Sequence, residues 1–335
     1  MVRGYGIRGG QMNSTTVAST DKSSWLRITT HYMQLIRFSH TIFALPFALL
    51  ATAWAFVVPL PPNSTFDGTQ NYLSLRWQSL VGILLCMITA RSFAMAMNRL
   101  LDHRFDGENP RTASRHLPAK ILSRSSVGWF SLGCAIAFAA ACCLFLPNRL
   151  PIVLCLPLLI FLAGYSLAKR FTNLVHFWLG TALLLAPVCA WIALRGESVQ
   201  TGPLDVLPAL VLGIVVFLWV SGFDIIYSCQ DVDFDRRSGL FSIPVWLGVQ
   251  NALRVAAVCH AIMWCVALSM SLALPSLSLG WFFRANLLVI GLLLIYEHNV
   301  ISEKSLERMQ LAFFQLNSII SVLFLVVGTI DAYWR

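Results

Sequence analysis

Long, uninterrupted apolar runs dominate this chain of 335 residues and limit what it can fold into. Hydrophobic side chains make up 57% of the residues and charged ones only 12%, about half the charged fraction of a soluble globular domain. Only helices and closed β-barrels can satisfy the backbone inside a bilayer. The runs are continuous and do not alternate with polar residues, which disfavours a barrel. The sequence therefore predicts an all-α polytopic membrane protein.

Crossing the hydrocarbon core takes about 20 apolar residues. By this measure the sequence predicts nine transmembrane helices, at roughly 41–60, 77–97, 126–146, 151–168, 174–194, 206–227, 252–274, 279–297 and 312–333. We expect residues 31–335 to form a single transmembrane domain. Residues 1–30 are polar and rich in Ser, Thr and Gly, and we expect them to form a disordered tail.

The Lys and Arg residues are distributed unevenly between the connections. Seventeen of the 24 lie in the first 40 residues or after the second, fourth, sixth and eighth segments. The opposite connections hold chiefly Arg76, Arg149, Arg195 and Arg284. The positive-inside rule then predicts that the N-terminus and the basic connections are cytoplasmic. The net charge of +9 is therefore largely a topology signal, and no nucleic-acid partner is expected.

Carboxylates are scarce, and seven of the 15 fall in two short stretches that each follow an even-numbered segment. Both stretches are therefore predicted on the same face of the membrane. In the first, Asn98, Asp102 and Asp106 recur every four residues and share one face of a continuing helix.

The second acidic stretch repeats this spacing. Asp231 and Asp235 are four residues apart, and Asp224 and Tyr227 precede Asp231 by about two turns and one turn of helix. We therefore expect two acidic helices that face each other.

Carboxylates one helical turn apart repel each other, and a divalent cation removes that penalty. Oxygen ligands without His or Cys suit Mg²⁺, which binds one or two carboxylates and completes its shell with water and substrate phosphates. The pattern predicts a magnesium diphosphate site with four metal ligands: Asp102, Asp106, Asp231 and Asp235. Four basic residues are placed to receive phosphate oxygens, Arg111, Arg115, Lys169 and Arg170.

Each of these features also has a structural interpretation. A single pair of carboxylates at a membrane surface is more often a solvated face, and the basic residues could be topology anchors. Two acidic clusters on the same side favour function, because ionisable groups at a membrane boundary are costly. Arg91, inside the second segment, is either a functional cation or a side chain that snorkels to the interface. No His residue has metal-ligand spacing, so packing or hydrogen bonding is the favoured role for His40, His103, His116 and His176.

At this point the sequence resembles the UbiA superfamily of intramembrane prenyltransferases, over about residues 30–335. The family's first motif, N-x-x-x-D-x-x-x-D followed by R-T-x-x-R-x-L-P, matches Asn98, Asp102, Asp106, Arg111, Thr112, Arg115, Leu117 and Pro118. The second motif, D-x-x-Y-x-x-x-D-x-x-x-D, matches Asp224, Tyr227, Asp231 and Asp235. The third matches "YSLAKRFT" at 165–172, which contains Lys169 and Arg170.

The resemblance implies nine helices around a central cavity that the cytoplasmic loops cap. It also implies an aromatic polyprenyltransferase, in which two Mg²⁺ ions bridge a polyprenyl diphosphate to the two Asp motifs. The prenyl group is transferred to an aromatic ring and diphosphate is released. By the same resemblance the four metal-binding Asp residues are catalytic, and Asn98, Asp224 and Tyr227 join the basic residues in binding substrate.

The acceptor stays open between two aromatic acids. Many hydroxybenzoate-type members have Asp after the motif Asn, where this chain has Arg99. Other stretches look closer to a bacterial branch associated with menaquinone synthesis through the futalosine route. The acceptor could thus be 4-hydroxybenzoate or a dihydroxynaphthoate-type acid, in ubiquinone or menaquinone synthesis. The candidates for the acceptor side are Arg37, His40, Arg91 and His176, and Arg91 is the best buried cation for a carboxylate.

Two other classes of membrane protein compete with this interpretation. A transporter of an anionic substrate would carry its charges near the bilayer midplane on broken helices, whereas these charges cluster at one end. A phospholipid-type phosphotransferase would place its Asp residues in one compact D-x-x-D-G-x-x-A-R motif, which is not found.

Overall fold

The computed structural model describes residues 27–36, 43–61, 72–300 and 309–334. Within these ranges all regular structure is helical, as predicted. Arg37, His40 and residues 1–26 of the predicted tail lie outside the described part of the chain.

The helices follow one another with short connections. They are α1 (27–35), α2 (Leu45–Val57), α3 (Trp77–Glu108), α4 (Arg124–Cys142), α5 (Leu150–Ala168), α6 (Val175–Thr201), α7 (Leu207–Ser228), α8 (Val232–Arg237), α9 (Ile243–Leu247), α10 (Val249–Ala273), α11 (Trp281–Val300) and α12 (Met309–Tyr333).

Each of the nine predicted segments coincides with one of these helices. Within the described ranges, eight helices are long and apolar enough to cross a membrane: α3 to α7 and α10 to α12. The first predicted segment corresponds to α2, which is apolar but has only 13 residues. At about 1.5 Å per residue α2 is roughly 20 Å long, shorter than the ~30 Å hydrocarbon core.

Helix α7 lies at the centre of the bundle. It is apolar around its whole circumference, which is typical of a helix buried on every side. It packs closely on α6, where a Cβ atom at Gly180 would lie 2.6 Å from the carbonyl oxygen of Phe217. On another side, Phe43, Phe47 and Phe223 surround its Trp219 ring.

Exposed tryptophans mark the two ends of the bundle. Trp77 and Trp281 begin α3 and α11, and Trp334 follows α12, all at one end. Trp129 and Trp246 are exposed near the other end. Aromatic belts of this kind are found where helices leave the hydrocarbon core, so the protein is an integral membrane protein.

Arg195 departs from the sequence prediction, which placed it in a connection. Helix α6 kinks at Arg195, where φ is −117° and ψ is 29°, and then resumes to Thr201. The Arg195 side chain is completely buried. Its Nε and Nη2 groups donate to the Asp205 carboxylate at 2.9 and 2.6 Å. Nη1 and Nη2 also donate to the carbonyl oxygens of Ala55, Val58 and Pro59 at 2.9–3.0 Å. Arg195 therefore joins the end of α2 to α6 and is not a surface anchor.

The connections after α3, α5 and α7 meet at the opposite end. Helix α3 ends at Glu108, two residues before Pro110, because the residue before a proline disfavours the α conformation. The backbone N–H of Phe241, in the connection after α8, donates to the carbonyl oxygen of Lys169 at 2.7 Å. These connections place both acidic stretches and the basic residues around one space.

The second acidic stretch is not one continuous helix, which corrects the sequence prediction. Helix α7 ends at Ser228, and a 3₁₀ turn over Cys229–Asp231 precedes α8. Asp231 has φ −104° and ψ 3°, outside the α region. The tighter turn directs its carboxylate toward the connection that follows α3, where it meets Arg111.

Candidate active site

A polar pocket of about 170 Å³, the charged pocket of the site, lies at the end of the bundle where the acidic stretches meet. Eleven of the predicted site residues line it: Asn98, Asp102, Asp106, Arg111, Arg115, Lys169, Arg170, Asp224, Tyr227, Asp231 and Asp235. The pocket therefore unites the three motifs, which come from α3, α5 and α7 to α8.

A larger, mainly apolar cavity of about 390 Å³ adjoins the polar pocket. It lies among α3, α4, α5, α6 and α7 and contains the predicted residue Arg91 in its wall. Five residues line both spaces, Asn98, Arg115, Tyr165, Asp224 and Tyr227. The polar pocket and the apolar cavity are thus neighbouring parts of one site.

Arg111 joins the connection after α3 to the second acidic stretch. Its Nε donates to Asp231 Oδ1 at 2.8 Å, its Nη2 pairs with Asp231 Oδ2, and its Nη1 donates to the Tyr227 hydroxyl at 2.7 Å. Burial alone would lower the pKa of Arg111, but hydrogen bonding to Asp231 raises it. Asn109 also donates to Asp231 Oδ1, at 3.2 Å.

Lys169 and Arg170 each pair with one carboxylate of an acidic stretch. Lys169 Nζ donates to Asp235 Oδ2 at 3.1 Å, and Arg170 Nη2 lies 3.5 Å from Asp102 Oδ1. Burial alone would lower the pKa of Lys169, but the Asp235 and Asp231 carboxylates outweigh it and raise that pKa above its usual value. The amine therefore stays a cation.

Asp106 faces two arginines. Arg115 Nη1 donates to its Oδ1 at 2.5 Å, and Arg99 Nη1 lies 3.7 Å from its Oδ2. That Oδ2 atom is buried and accepts no hydrogen bond from the described residues. Next along α3, Asn98 Nδ2 donates to Asp102 Oδ2 at 2.7 Å.

Asp224 has a different kind of partner. Its Oδ2 lies 2.7 Å from Nδ1 of His176, a completely buried residue at the start of α6. Throughout the described ranges, Asp224 forms no ion pair with Lys or Arg, whereas the other four motif carboxylates each do.

Several pocket residues were not among the predicted site residues. Asn109, Tyr165 and Ser166 line the polar pocket, and Asn109 and Ser166 also hydrogen-bond to motif side chains. Tyr165 and Ser166 begin the third motif, which could have indicated them. Asn109 stands directly before Pro110 and the predicted Arg111, a position that could have suggested it. His176 was expected in packing or near the acceptor, but nothing in its spacing indicated that it would contact Asp224.

The oxygen donors around the polar pocket suit a magnesium ion. Among the residues that the structure describes, no three His, Cys, Asp or Glu side chains are close enough to hold a metal by themselves. Mg²⁺ does not require this, because it binds one or two carboxylates and takes water and phosphate oxygens as its other ligands. The carboxylates around the pocket, including the unsatisfied Asp106 Oδ2, fit that preference.

Comparison with known proteins agrees with this arrangement. The model of the UbiA prenyltransferase family matches residues 68–319, about three quarters of the sequence. The chain belongs to this family. Its predicted family and its predicted enzyme class, a prenyltransferase, are thereby confirmed.

Individual UbiA relatives cover nearly the whole chain. A Vibrio parahaemolyticus protein named 4-hydroxybenzoate octaprenyltransferase is 27% identical over 305 residues, which are 90% of this chain and 97% of that protein. The ligand-free structure of a UbiA homologue from Aeropyrum pernix K1 has a TM-score of 0.73 and 27% identity, covering 87% of this chain and 97% of that one. A UbiA homologue from Archaeoglobus fulgidus bound to DMAPP and Mg²⁺ shares the fold, with a TM-score of 0.62, 18% identity, and coverage of 89% and 97%.

Proposed function

We propose that this UbiA prenyltransferase transfers the prenyl group of a polyprenyl diphosphate to an aromatic acid of the 4-hydroxybenzoate type. The observation that carries the proposal is the junction of a charged pocket with an apolar cavity. The polyprenyl diphosphate then has its diphosphate in the charged pocket and its hydrocarbon chain in the apolar cavity. Relatives named 4-hydroxybenzoate octaprenyltransferase support the acceptor class.

The charged pocket is suited to hold the diphosphate. Arg111, Arg115, Lys169 and Arg170 line it and can donate to phosphate oxygens. The carboxylates of Asp102, Asp106, Asp231 and Asp235 would hold Mg²⁺, which neutralises charge on the departing diphosphate when bound. The Mg²⁺ bound to an archaeal UbiA homologue supports this assignment.

The apolar cavity is suited to hold the prenyl chain. Its lining follows α3 from Asn98 back to Ile83, a length of roughly 22 Å at about 1.5 Å per residue. An allylic cation formed at its mouth would be protected from water. The Tyr227 and Phe223 rings, which line the mouth, can stabilise the positive charge as the C–O bond breaks.

Arg91 is our candidate for the acceptor carboxylate. It lines the apolar cavity two helical turns from Asn98, and its Nε is buried without a hydrogen-bond partner in the described residues. A cation within a membrane span is costly unless it binds a counter-ion. A carboxylate on the acceptor would supply that charge at the distance of one ring from the reacting carbon. Arg37 remains a sequence-based candidate outside the described residues.

The orientation in the membrane follows from the distribution of basic residues. The end that carries the charged pocket also carries the Lys- and Arg-rich connections after α3, α5 and α7. We propose that this end faces the cytoplasm of a bacterial inner membrane. A water-soluble aromatic acid and the metal ion would then reach the pocket from the cytoplasm, and the prenyl substrate from the bilayer.

The test is product formation by the purified protein, measured by mass spectrometry. The substrates are polyprenyl diphosphates of different chain lengths and a panel of aromatic acids. We expect prenylated 4-hydroxybenzoate, and we expect Arg91→Met to lose most activity toward it. Phenol, which lacks the carboxylate, should be a poor substrate for the unaltered enzyme and little affected by the substitution. If only a dihydroxynaphthoate-type acid is prenylated, that acid is the acceptor and 4-hydroxybenzoate is not. If no aromatic acid is prenylated, the proposal is refuted.

A further inference from the structure

The environment of His176 fixes the position of its ring proton. The ring lies behind Asp224, with Nδ1 2.7 Å from Asp224 Oδ2. On its other side the backbone N–H of Ile243, at the start of α9, points at Nε2 at 3.4 Å. A backbone N–H can only donate, so Nε2 is the acceptor and carries no hydrogen. The neutral imidazole then carries its hydrogen on Nδ1 and donates it to the Asp224 carboxylate.

The Ser228 hydroxyl is consistent with this tautomer. It donates to the carbonyl oxygen of Ile225 at 2.8 Å and is 3.5 Å from Nε2, a longer and weaker contact. A protonated imidazolium would place a second N–H against the Ile243 N–H. The contacts around the ring therefore leave Nδ1 as the donor that faces the Asp224 carboxylate.

Asp224 consequently differs from the other motif carboxylates. Those four each contact an Arg or a Lys, which suits them to metal ions and diphosphate, whereas Asp224 contacts a neutral donor. Its side chain is 18% exposed and lines both the charged pocket and the apolar cavity. It thus lies where the diphosphate end of one substrate would meet the ring of the other.

We propose that His176 is a positioning residue that keeps the Asp224 carboxylate directed at the aromatic acceptor, whose proton Asp224 takes. The inference rests on the proposed function. In the reaction a ring carbon bonds to C1 of the prenyl group as the C1–O bond breaks, and diphosphate leaves with that electron pair. The hydrogen of the same ring carbon leaves as a proton, which restores aromaticity. Asp224 accepts this proton and passes it to water.

The first experiment compares two substitutions of His176. His176→Asn keeps an N–H donor near the Nδ1 position, and His176→Leu removes it. We expect His176→Leu to lower kcat at least tenfold and to raise KM for the aromatic acid, with KM for the prenyl diphosphate unchanged. His176→Asn should keep most of the activity. The control on the same helix is Thr181→Ala, which removes a hydroxyl that, among the described residues, donates only to the Phe177 carbonyl oxygen. It should leave both constants unchanged.

The second experiment asks whether His176 acts through Asp224. In an Asp224→Asn background, His176→Leu should cause no further loss of kcat, because the group that it positions is already gone. An equal loss in both backgrounds, or equal losses in His176→Leu and His176→Asn, would overturn the inference. If His176→Leu does not fold, as judged by gel filtration in detergent, the comparison uses His176→Asn and His176→Gln, and equal kcat values would overturn it. An unaltered enzyme that prenylates no aromatic acid would instead refute the proposed function.

Discussion

At the scale of single residues, the main feature of the site is that its carboxylates and cations neutralise one another. Asp231 pairs with Arg111, Asp235 with Lys169, and Asp106 with Arg115. A bound magnesium diphosphate would need both partners of each pair, the carboxylate for the metal and the cation for phosphate. When magnesium diphosphate binds, each carboxylate would therefore exchange its Arg or Lys partner for the metal, and each cation would exchange its carboxylate for phosphate. No charge would be left unpaired.

This exchange predicts that Mg²⁺ and diphosphate bind cooperatively. Either ligand alone would leave one partner of each ion pair without a counter-charge in a half-buried pocket, whereas both together replace every pair. We expect inorganic pyrophosphate to bind at least tenfold more tightly with Mg²⁺ than with EDTA, measured by isothermal titration calorimetry. Equal affinity under the two conditions would contradict the account.

Arg111 provides a more specific prediction. Replacing it with Ala removes a charged donor in reach of the diphosphate, an interaction worth about 1.5–3 kcal/mol, or roughly 10- to 100-fold in affinity. We expect KM for the prenyl diphosphate to rise by this factor and KM for the aromatic acid to stay constant. The control is Arg104→Ala, an exposed Arg whose one ion pair within the described ranges is with the neighbouring Glu108. An unchanged KM for the prenyl diphosphate would show that Arg111 does not bind the diphosphate.

The site residues differ in how far the sequence could predict them. The spacing of Asn98, Asp102 and Asp106 fixes their common face from helix geometry alone, and the structure places all three around the charged pocket. His176 could not be connected with Asp224 in this way, because their contact depends on how α6 packs on α7. Periodicity within one helix carries no information about that packing.

At the scale of helices, the charged pocket depends on how single elements end. The break between α7 and α8 turns Asp231 toward Arg111, and an uninterrupted helix would keep it in line with Asp235. The sequence predicted a continuing helix because the i, i+4 pattern itself is unbroken. Asp231 either continues the helix or turns to pair with Arg111, and the structure shows the second arrangement. Because Arg111 comes from another part of the chain, the local spacing of the acids does not reveal this choice.

Arg195 offers a prediction at this scale, far from the charged pocket. Replacing it with Met leaves Asp205 buried without its partner and removes the donors to three carbonyl oxygens at the end of α2. Breaking a buried ion pair in this way costs about 3–5 kcal/mol. We expect a clearly lower thermal unfolding midpoint in detergent, with KM for both substrates unchanged in the protein that remains folded.

The matched control for Arg195→Met removes both charges. Arg195→Met with Asp205→Leu should regain part of the lost stability, because no buried charge is then left unpaired. A double variant as unstable as the single one would show that the carbonyl contacts, and not the ion pair, stabilise this end of α2.

At the scale of the whole molecule, no single helix contains the site. Asp106 comes from α3, Lys169 follows α5 and Asp235 belongs to α8, so the complete bundle is needed to bring them together. The side on which they meet follows from counting apolar segments, and the number and placement of these segments were predictable from composition. The depth and shape of the cavity were not, because they depend on contacts such as that between Gly180 and Phe217.

The central claim is that the two acidic stretches act together in one prenyl-transfer site. Its most direct test is prenyl transfer by membranes that contain the Asp106→Ala plus Asp235→Ala variant, compared at equal protein level with a matched control. The control, Glu108→Ala plus Asp233→Ala, removes two exposed acids from the same stretches. We predict loss of Mg²⁺-dependent transfer in the first variant and full activity in the control. Full activity in the Asp106→Ala plus Asp235→Ala variant would contradict the account.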